Sequence, residues 1–468
     1  MENIKVINKK DNVCVQLESG QNIPKGHKIA LTKISKGEPI IKYGNKIGIA
    51  TCDIKEKEHV HIHNIKSDIK EKEDYTYEKA VDENEINLKA FNSTFLGYER
   101  SNGLVGIRNE VWIIPTVGCV NKVCAKLSKM VNRSDVISFE HPYGCSQLGD
   151  DQENTRKIIA SLISNPNAGG ILLIGLGCEN SNIEVLKKYI KDVDELNIKF
   201  LNLQDTDNEI EEALKLIDEL IAIKEKTIRK EFPISKLKIG IKCGGSDGMS
   251  GITANPLVGE ISNIISKFNG TILMSEVPEM FGAEQVLINR AKDKTVADDI
   301  ILMINTYKKI YIDKNLPINE NPSPGNIEGG ISTNEEKSLG CIEKSGSTAI
   351  NRVLKYGEVL LDKDNGVNLI YGPGNDLVST TNLSASGCQL ILFTTGRGTP
   401  FGSPVPTIKI SSNREIFNKK SNWIDYNGED GNKEELFNLI IEIANGKLTK
   451  QEEQGYHDLA ILKDGVTL

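Results

Sequence analysis

The run Lys242–Pro256, KCGGSDGMSGITANP, puts a lysine, a cysteine, an aspartate, an asparagine, two serines, a threonine and four glycines directly after the apolar segment LKIGI. Glycines let a backbone turn sharply or approach a ligand closely, and the apolar run before them reads as a strand presenting these groups at its carboxyl end. Three other loops share the form: TVGCVN with Cys119, HPYGCSQLGDD with Cys145 and GLGCENSN with Cys178. In open α/β sheets ligands bind beyond the carboxyl ends of strands, so these thiols are expected to converge on one cleft with Cys243. Thiolates there suit iron or zinc, or hold an iron–sulfur cluster. The competing reading is a small buried residue at each tight turn, and no CxxC pair with zinc-finger spacing is present.

The segment HVHIHN alternates His59, His61 and His63, which on a strand puts all three on one face, for a metal or for a hydrogen-bonded strand end. Carboxylates for proton transfer stand in similar loops: Asp247, Glu276, Glu279 and Glu284 in SEVPEMFGAE, Glu179 and Asp376. Lys242, Lys337, Arg108 and Arg397 lie in equally glycine-rich surroundings and are candidate carboxylate binders, the arginines bidentately. No phosphate loop and no GxGxxG opening a helix occurs, which argues against nucleotide binding.

The elements that must position these groups follow from length and pattern. At 468 residues, with 38% hydrophobic and 26% charged content, the chain is long enough for two or three domains. Residues 1–70 alternate β-branched segments with Gly and Pro turns and predict a small all-β module. Residues 71–94 are charged and aperiodic and read as a linker. Residues 95–232 and 233–468 repeat apolar strand, glycine loop and amphipathic helix, which predicts two α/β domains with mainly parallel sheets. A formal charge of −8 without a basic run argues against nucleic acid or an anionic membrane as partner and favours a small molecule. The first residues lack an apolar leader, no run is long enough to span a membrane, and nine scattered cysteines suggest reduced thiols, so a cytoplasmic protein is expected.

Taken jointly and in order, GYERSNGLVGIRN, HPYGC, GLGCEN, KCGGSDGMSGITANP, SEVPEMFGAE, NPSPGNIEGGISTNEEKSLG and FTTGRGTPFG resemble the altronate/galactarate dehydratase family over nearly the whole chain. The N-terminal module resembles that family's SAF (β-clip) domain. The resemblance implies a hydro-lyase that removes water from a sugar acid to give a 2-keto-3-deoxy acid, with a divalent metal. Fe2+ is the expected metal, with Mn2+ and an iron–sulfur cluster as alternatives. Residue chemistry then nominates Cys145, Cys178, Cys243, His61 and His63 as metal ligands. It assigns Asp247, Glu276, Glu284, Lys337 and Lys242 to proton transfer, and Arg108, Asn109, Asn255, Asn326 and Arg397 to substrate oxygens. A homo-oligomer is also expected. Three positions depart from the family pattern: Asn102 where an acid is common, Val277 where a threonine is, and GPGNDLVSTTN without the usual proline and late glycine. These leave the identity of the sugar acid open. An enzyme resembling sulfolactate sulfo-lyase is the alternative, but its SAF-like part is a separate chain, whereas here the two are fused. A sugar-acid sensor would have lost the acids and thiols that this chain keeps.

Overall fold

The computed structural model describes residues 3–20, 22–71, 73–81, 86–191 and 193–468. The N-terminal module is antiparallel. Strands β1 (Ile4–Lys5), β2 (Val13–Gln16), β3 (Lys28–Ala30) and β6 (His59–Val60) form one sheet; β4 (Pro39–Lys42), β5 (Asn45–Ala50) and β7 (Ile65–Lys66) form another. Its buried Val13, Ala30, Ile40, Ile47 and Val60 belong to the same apolar cluster as Ile239, Ile241 and Ile261 of the last domain, so this module shares a core with it. Of the charged stretch after it, Tyr75 and Tyr77 pack on that core, and Tyr77 Oη donates to Ala291 O at 2.9 Å. The anchoring groups are aromatic residues two apart, a weak periodic signal inside a charged run. Residues 72 and 82–85 of this stretch lie outside the described residues.

Two short pairings, β8 (Thr94–Glu99) with β9 (Val105–Gly106) and with β14 (Lys230–Pro233), frame the second domain. Between them β10 (Glu110–Pro115), β11 (Val136–Ser138), β12 (Ala168–Gly175) and β13 (Ile198–Asn202) make a parallel sheet in the order β11-β10-β12-β13. Helices α1 (Asn121–Val131), α2 (Gly149–Ile163), α3 (Ile183–Leu186) and α4 (Glu209–Lys224) accompany it.

The last domain is built on seven parallel strands: β15 (Lys238–Cys243), β16 (Thr271–Met274), β17 (Ile350–Leu354), β18 (Gly366–Ile370), β19 (Leu390–Thr395), β20 (Thr407–Ser411) and β21 (Tyr426–Asn427). Their order is β17-β18-β16-β15-β19-β20-β21, so successive elements leave β15 in both directions and open a crevice at its carboxyl end. Helices α5 (Ala254–Lys267), α6 (Glu284–Asn289), α7 (Lys294–Asp313), α8 (Pro324–Glu328), α9 (Asn334–Ile342) and α10 (Asp376–Ala385) complete the elements that matter below. Every residue of β15 is buried, as a strand covered on both faces requires. Ile239 and Ile241 pack with Ile261 and Ile264 of α5, while a Cβ on Gly240 would touch Leu383 of α10. The same alternation carries on to the strand's end, where Lys242 reaches Asp376 of α10 and Cys243 reaches Cys341 of α9. The α/β class with an all-β N-terminal module is therefore as expected. Among the described residues no helix is long and apolar enough to cross a membrane.

Candidate active site

The loop that follows β15 runs past three chemically distinct surfaces. At its start Lys242 Nζ bridges Glu276 Oε1 at 2.5 Å and Asp376 Oδ1 at 2.9 Å. Glu276 Oε2 lies 3.3 Å from Lys344 Nζ, and Lys344 Nζ donates to Cys341 Sγ at 2.9 Å. Cys243 Sγ is 3.6 Å from Cys341 Sγ. Lys242, Glu276 and Lys344 are sealed from solvent, whereas Asp376 is one third exposed and forms the mouth. Burial opposes the charge on Lys242, yet Glu276 and Asp376 hold its ammonium above the usual lysine range. Glu276, despite burial, is kept below the usual carboxylate range by Lys242 and Lys344. It also has a φ of 77°, a left-handed backbone that a non-glycine residue tolerates only where its surroundings enforce it.

Beside this cluster Lys337 Nζ holds Glu279 Oε1 at 2.9 Å, and Glu279 Oε2 is buried with no hydrogen-bond partner among the described residues. Helix spacing explains why α9 and the turn after it serve the site: Lys337, Cys341 and Lys344 fall four and three residues apart on one face.

In its middle the loop turns on Gly244 and Gly245. A Cβ on Gly244 would stand 2.6 Å from Asp376 Oδ2, and Gly245, at φ +63°, faces the stem of Arg397. Arg397 Nη2 donates to Gly325 O and Glu328 Oε2 and lines a cleft of about 310 Å³ with Lys25, Asp247, Asn413 and Lys419. Asp247 is a loop organiser: Oδ1 accepts from Ser250 N, Ser250 Oγ and Ser412 Oγ, and Oδ2 from Asn413 Nδ2.

At its far end the loop meets the N-terminal module. Gly248 N donates to Gly329 O at 2.7 Å, and a Cβ on Gly248 would strike Gly26 O. The next residue, His27, places Nδ1 3.0 Å from His59 Nε2 and Nε2 3.2 Å from Glu328 O. His61 Nδ1 pairs with Ser332 Oγ at 3.0 Å. One ring nitrogen from each of His27, His59 and His61 lies within 4.8 Å of the others. Burial first, then neighbouring cations and imidazoles, push His59 and His61 down to about 4, and burial also lowers His27, so all three are neutral at physiological pH.

These positions regroup the residues singled out above. Cys145, Cys178 and Cys243 do not meet: Cys145 Sγ is 3.3 Å from Asn180 Oδ1, Cys178 Sγ is 3.7 Å from Gln204 Nε2, and both are exposed on loops of the second domain. They follow strands of a different sheet from the one that Cys243 ends. The thiol that Cys243 meets is Cys341, in SLGCIEK, a helical stretch without loop character. The segment HVHIHN is strand only at His59–Val60; Asn64 Oδ1 accepts from His61 N and closes a turn. His63 is thereby exposed outside the trio, and His27 enters from the adjacent strand through the Ile29–His59 register.

Glu284 is held by Lys308 at 2.8 Å and caps Gly282 N. Arg108 is buried against Glu452 and the carbonyls of Ile443 and Lys447, stapling the second domain to the C-terminal helices. Asn109 joins Arg100 to Lys224 O, Asn255 joins Thr394 to Gly340 O, and Asn326 joins Ser323 to Ser246 O. Of the nominated substrate binders, Arg397 lines the cleft, while the other four are engaged within the fold.

Three family models match the chain in succession: the altronate/galactarate dehydratase SAF domain over residues 3–68, the second domain of D-galactarate dehydratase/altronate hydrolase over 97–224, and the C-terminal domain of D-galactarate/altronate dehydratase over 234–467. The chain belongs to the altronate/galactarate dehydratase family. It is 46% identical over 471 residues to the altronate dehydratase of Bacillus subtilis strain 168, covering 97% of this chain and 94% of that one. To the altronate dehydratase of Escherichia coli K12 it is 44% identical, covering 98% and 94%. To the L-threo-forming galactarate dehydratase of the same organism it is 32% identical, covering 94% and 90%. By class the chain is a hydro-lyase, and its family acts on sugar acids.

Proposed function

We propose that this enzyme dehydrates altronate, or a closely similar aldonate, to a 2-keto-3-deoxy acid with the help of a divalent metal, Fe2+ first. The observation that carries the reading is the single loop after β15, which joins a buried ammonium and carboxylate cluster, an arginine-lined cleft and a trio of neutral imidazoles. The higher identity to the altronate dehydratases supports altronate over galactarate.

Two donor sets can be tested for the metal. Cys243, Glu276 and Cys341 lie within 4.8 Å of one another, but the ammoniums of Lys242 and Lys344 already neutralise them and would repel a cation. His27, His59 and His61 fit: they are neutral, as ligands must be, and Glu328 O and Ser332 Oγ orient His27 and His61 from behind. When bound there, Fe2+ or Mn2+ would supply Lewis acidity to substrate oxygens.

The chain's own groups cover the remaining requirements. A proton α to a carboxylate is weakly acidic, so charge developing on the acid must be held and the proton must be taken by a fixed base. Arg397, with Lys25 and Lys419, binds the carboxylate at the cleft. Glu279 Oε2, a buried carboxylate oxygen without a hydrogen-bond partner among the described residues, takes the α proton, and Lys337 Nζ protonates the departing β hydroxyl. Lys242 keeps its proton and fixes Asp376 at the mouth.

The test is anaerobic assay of the Fe2+-supplied enzyme for keto acid with altronate, galactarate and related aldonates. Release from altronate is expected; no keto acid from any member of the panel refutes the reading. His59→Ala should lose bound metal by elemental analysis while keeping its circular dichroism, and unchanged metal content removes the imidazole trio from the site.

A further inference from the structure

The contact between Cys243 and Cys341 has no part in the dehydration just described. Their sulfurs are 3.6 Å apart, both residues are at least 96% buried, and each sits at the end of a rigid element, β15 and α9. The other cysteines are free as well, and the exposed ones, Cys52, Cys119, Cys145 and Cys178, have no sulfur neighbour among the contacts described. A disulfide needs its sulfurs at about 2.05 Å, so closing the pair requires a movement of roughly 1.5 Å, within the reach of side-chain rotation. Lys344 Nζ, 2.9 Å from Cys341 Sγ, is placed to stabilise a thiolate there, with Cys243 as the resolving thiol in contact. The hydrogen bond between the sulfurs lowers one ionisation of the pair against burial, with Lys344 assisting, and raises the other.

The geometry points to a reversible disulfide between Cys243 and Cys341 that switches the enzyme off under peroxide. The Cys341 thiolate attacks one oxygen of hydrogen peroxide, the O–O bond breaks, and a sulfenic acid and hydroxide form. The Cys243 sulfur then attacks the sulfenic sulfur, the S–S bond forms and the S–O bond breaks, its proton leaving with the oxygen as water. In sum two thiols lose two electrons and two protons, and one peroxide becomes two waters; a dithiol reductant reverses the step. The consequence for the site follows from charge. Oxidation removes the thiolate facing Lys344 and leaves that buried ammonium to Glu276 alone, which disturbs the Lys242–Glu276–Lys344 balance. It also ties α9, which carries Lys337, to β15. This loss of activity rests on the proposed site; the bond itself does not.

The experiment treats reduced, metal-free full-length enzyme with peroxide, blocks remaining thiols with N-ethylmaleimide, and maps peptides before and after dithiothreitol. Part of each sample is reloaded with Fe2+ anaerobically and assayed. A Cys243–Cys341 linked peptide, two hydrogens lighter than the reduced pair, is expected. Activity should fall at least tenfold and return with dithiothreitol. Cys341→Ser and Cys243→Ser should each lack the linked peptide, so that misfolding of one variant leaves the other informative. Recovery of both residues as N-ethylmaleimide adducts, with oxidation confined to the exposed thiols, overturns the proposal. A linked peptide with full activity overturns the switch and places the catalytic centre elsewhere than proposed, whereas absence of the link leaves the dehydratase reading standing.

Discussion

Replacing Glu336 with glutamine should loosen the N-terminal module and weaken metal binding at the imidazole trio proposed above. Glu336 receives Lys28 Nζ at 2.7 Å and Lys42 Nζ at 2.8 Å, with all three side chains at most 1% exposed. Against the cost of burial the two lysines hold this carboxyl at about 2 rather than 4.5, corresponding to about 3 kcal/mol. Because the folded value is the depressed one, that stability is present above about pH 4.5 and is lost as pH falls toward 2. Glutamine leaves two ammoniums facing each other without a counter-charge, and breaking a buried pair this way costs about 3–5 kcal/mol. The lower end applies here, because burial already brings Lys28 down to about 8, so Lys28 can shed its proton. For a chain of 468 residues the unfolding entropy gives roughly 1 °C per kcal/mol, so the variant should melt roughly 3 °C lower near neutral pH. It should recover part of that loss as pH rises to about 9, where the folded state no longer has to keep Lys28 charged. Differential scanning calorimetry and limited proteolysis after residue 70 read the stability. Titration with Mn2+ reads the proposed metal site, since His27 and His61 are oriented by Glu328 and Ser332 next to this interface. A variant that melts within about 1 °C of the parent, resists protease equally and binds Mn2+ equally refutes the argument that this triad seats the module.

Two further substitutions test other parts of the structure. Burial first, then Glu452, raises buried Glu110 to about 7, so between about pH 4.5 and 7 the folded chain holds a proton that the unfolded chain has lost, and stability falls as pH rises through that window. Glu110→Gln, which can still accept from Trp112 Nε1, should therefore stabilise the protein at about pH 8 by up to about 3 kcal/mol and leave it unchanged at about pH 4; destabilisation at pH 8 contradicts this. Arg397→Ala should raise KM for the sugar acid about tenfold or more while changing kcat and melting temperature little, because this side chain is 41% exposed and its ion pair with Glu328 of α8 is a solvent-exposed one; an unchanged KM removes it from the cleft.

The fold and the course of the central loop were legible in the sequence because they depend on local signals. Apolar runs ending in glycine loops mark strand ends, and KCGGSDG marks the one strand end that three surfaces share. The partners at those surfaces depend on pairings that no local signal records. Cys341 stands 98 residues from Cys243 and reaches it only because α9 lies along the end of β15; His27 replaces His63 because one antiparallel register sets Ile29 opposite His59. The polar residues that proved structural mislead for a physical reason. Arg108 and Asn109 stand in the loop before β10, and Asn255 and Asn326 in the first turns of α5 and α8, where backbone groups lack ladder partners and need side-chain partners once buried. The same need draws the same residue types to ligand sites, so type and context alone do not separate the two uses. What separates them is whether donors and acceptors remain after the turn is satisfied. Asn255 and Asn326 have theirs engaged, whereas Glu279 keeps a buried oxygen without a partner and Arg397 stays open to solvent. For that reason we place the proposed proton transfer at Glu279 and Lys337 and the proposed carboxylate contact at Arg397. Helix α9 then couples the two ends of the site. Glu336 anchors the imidazole-bearing module at one end of the helix and Cys341 meets the thiol of β15 at the other, so a change at either contact should be felt at both.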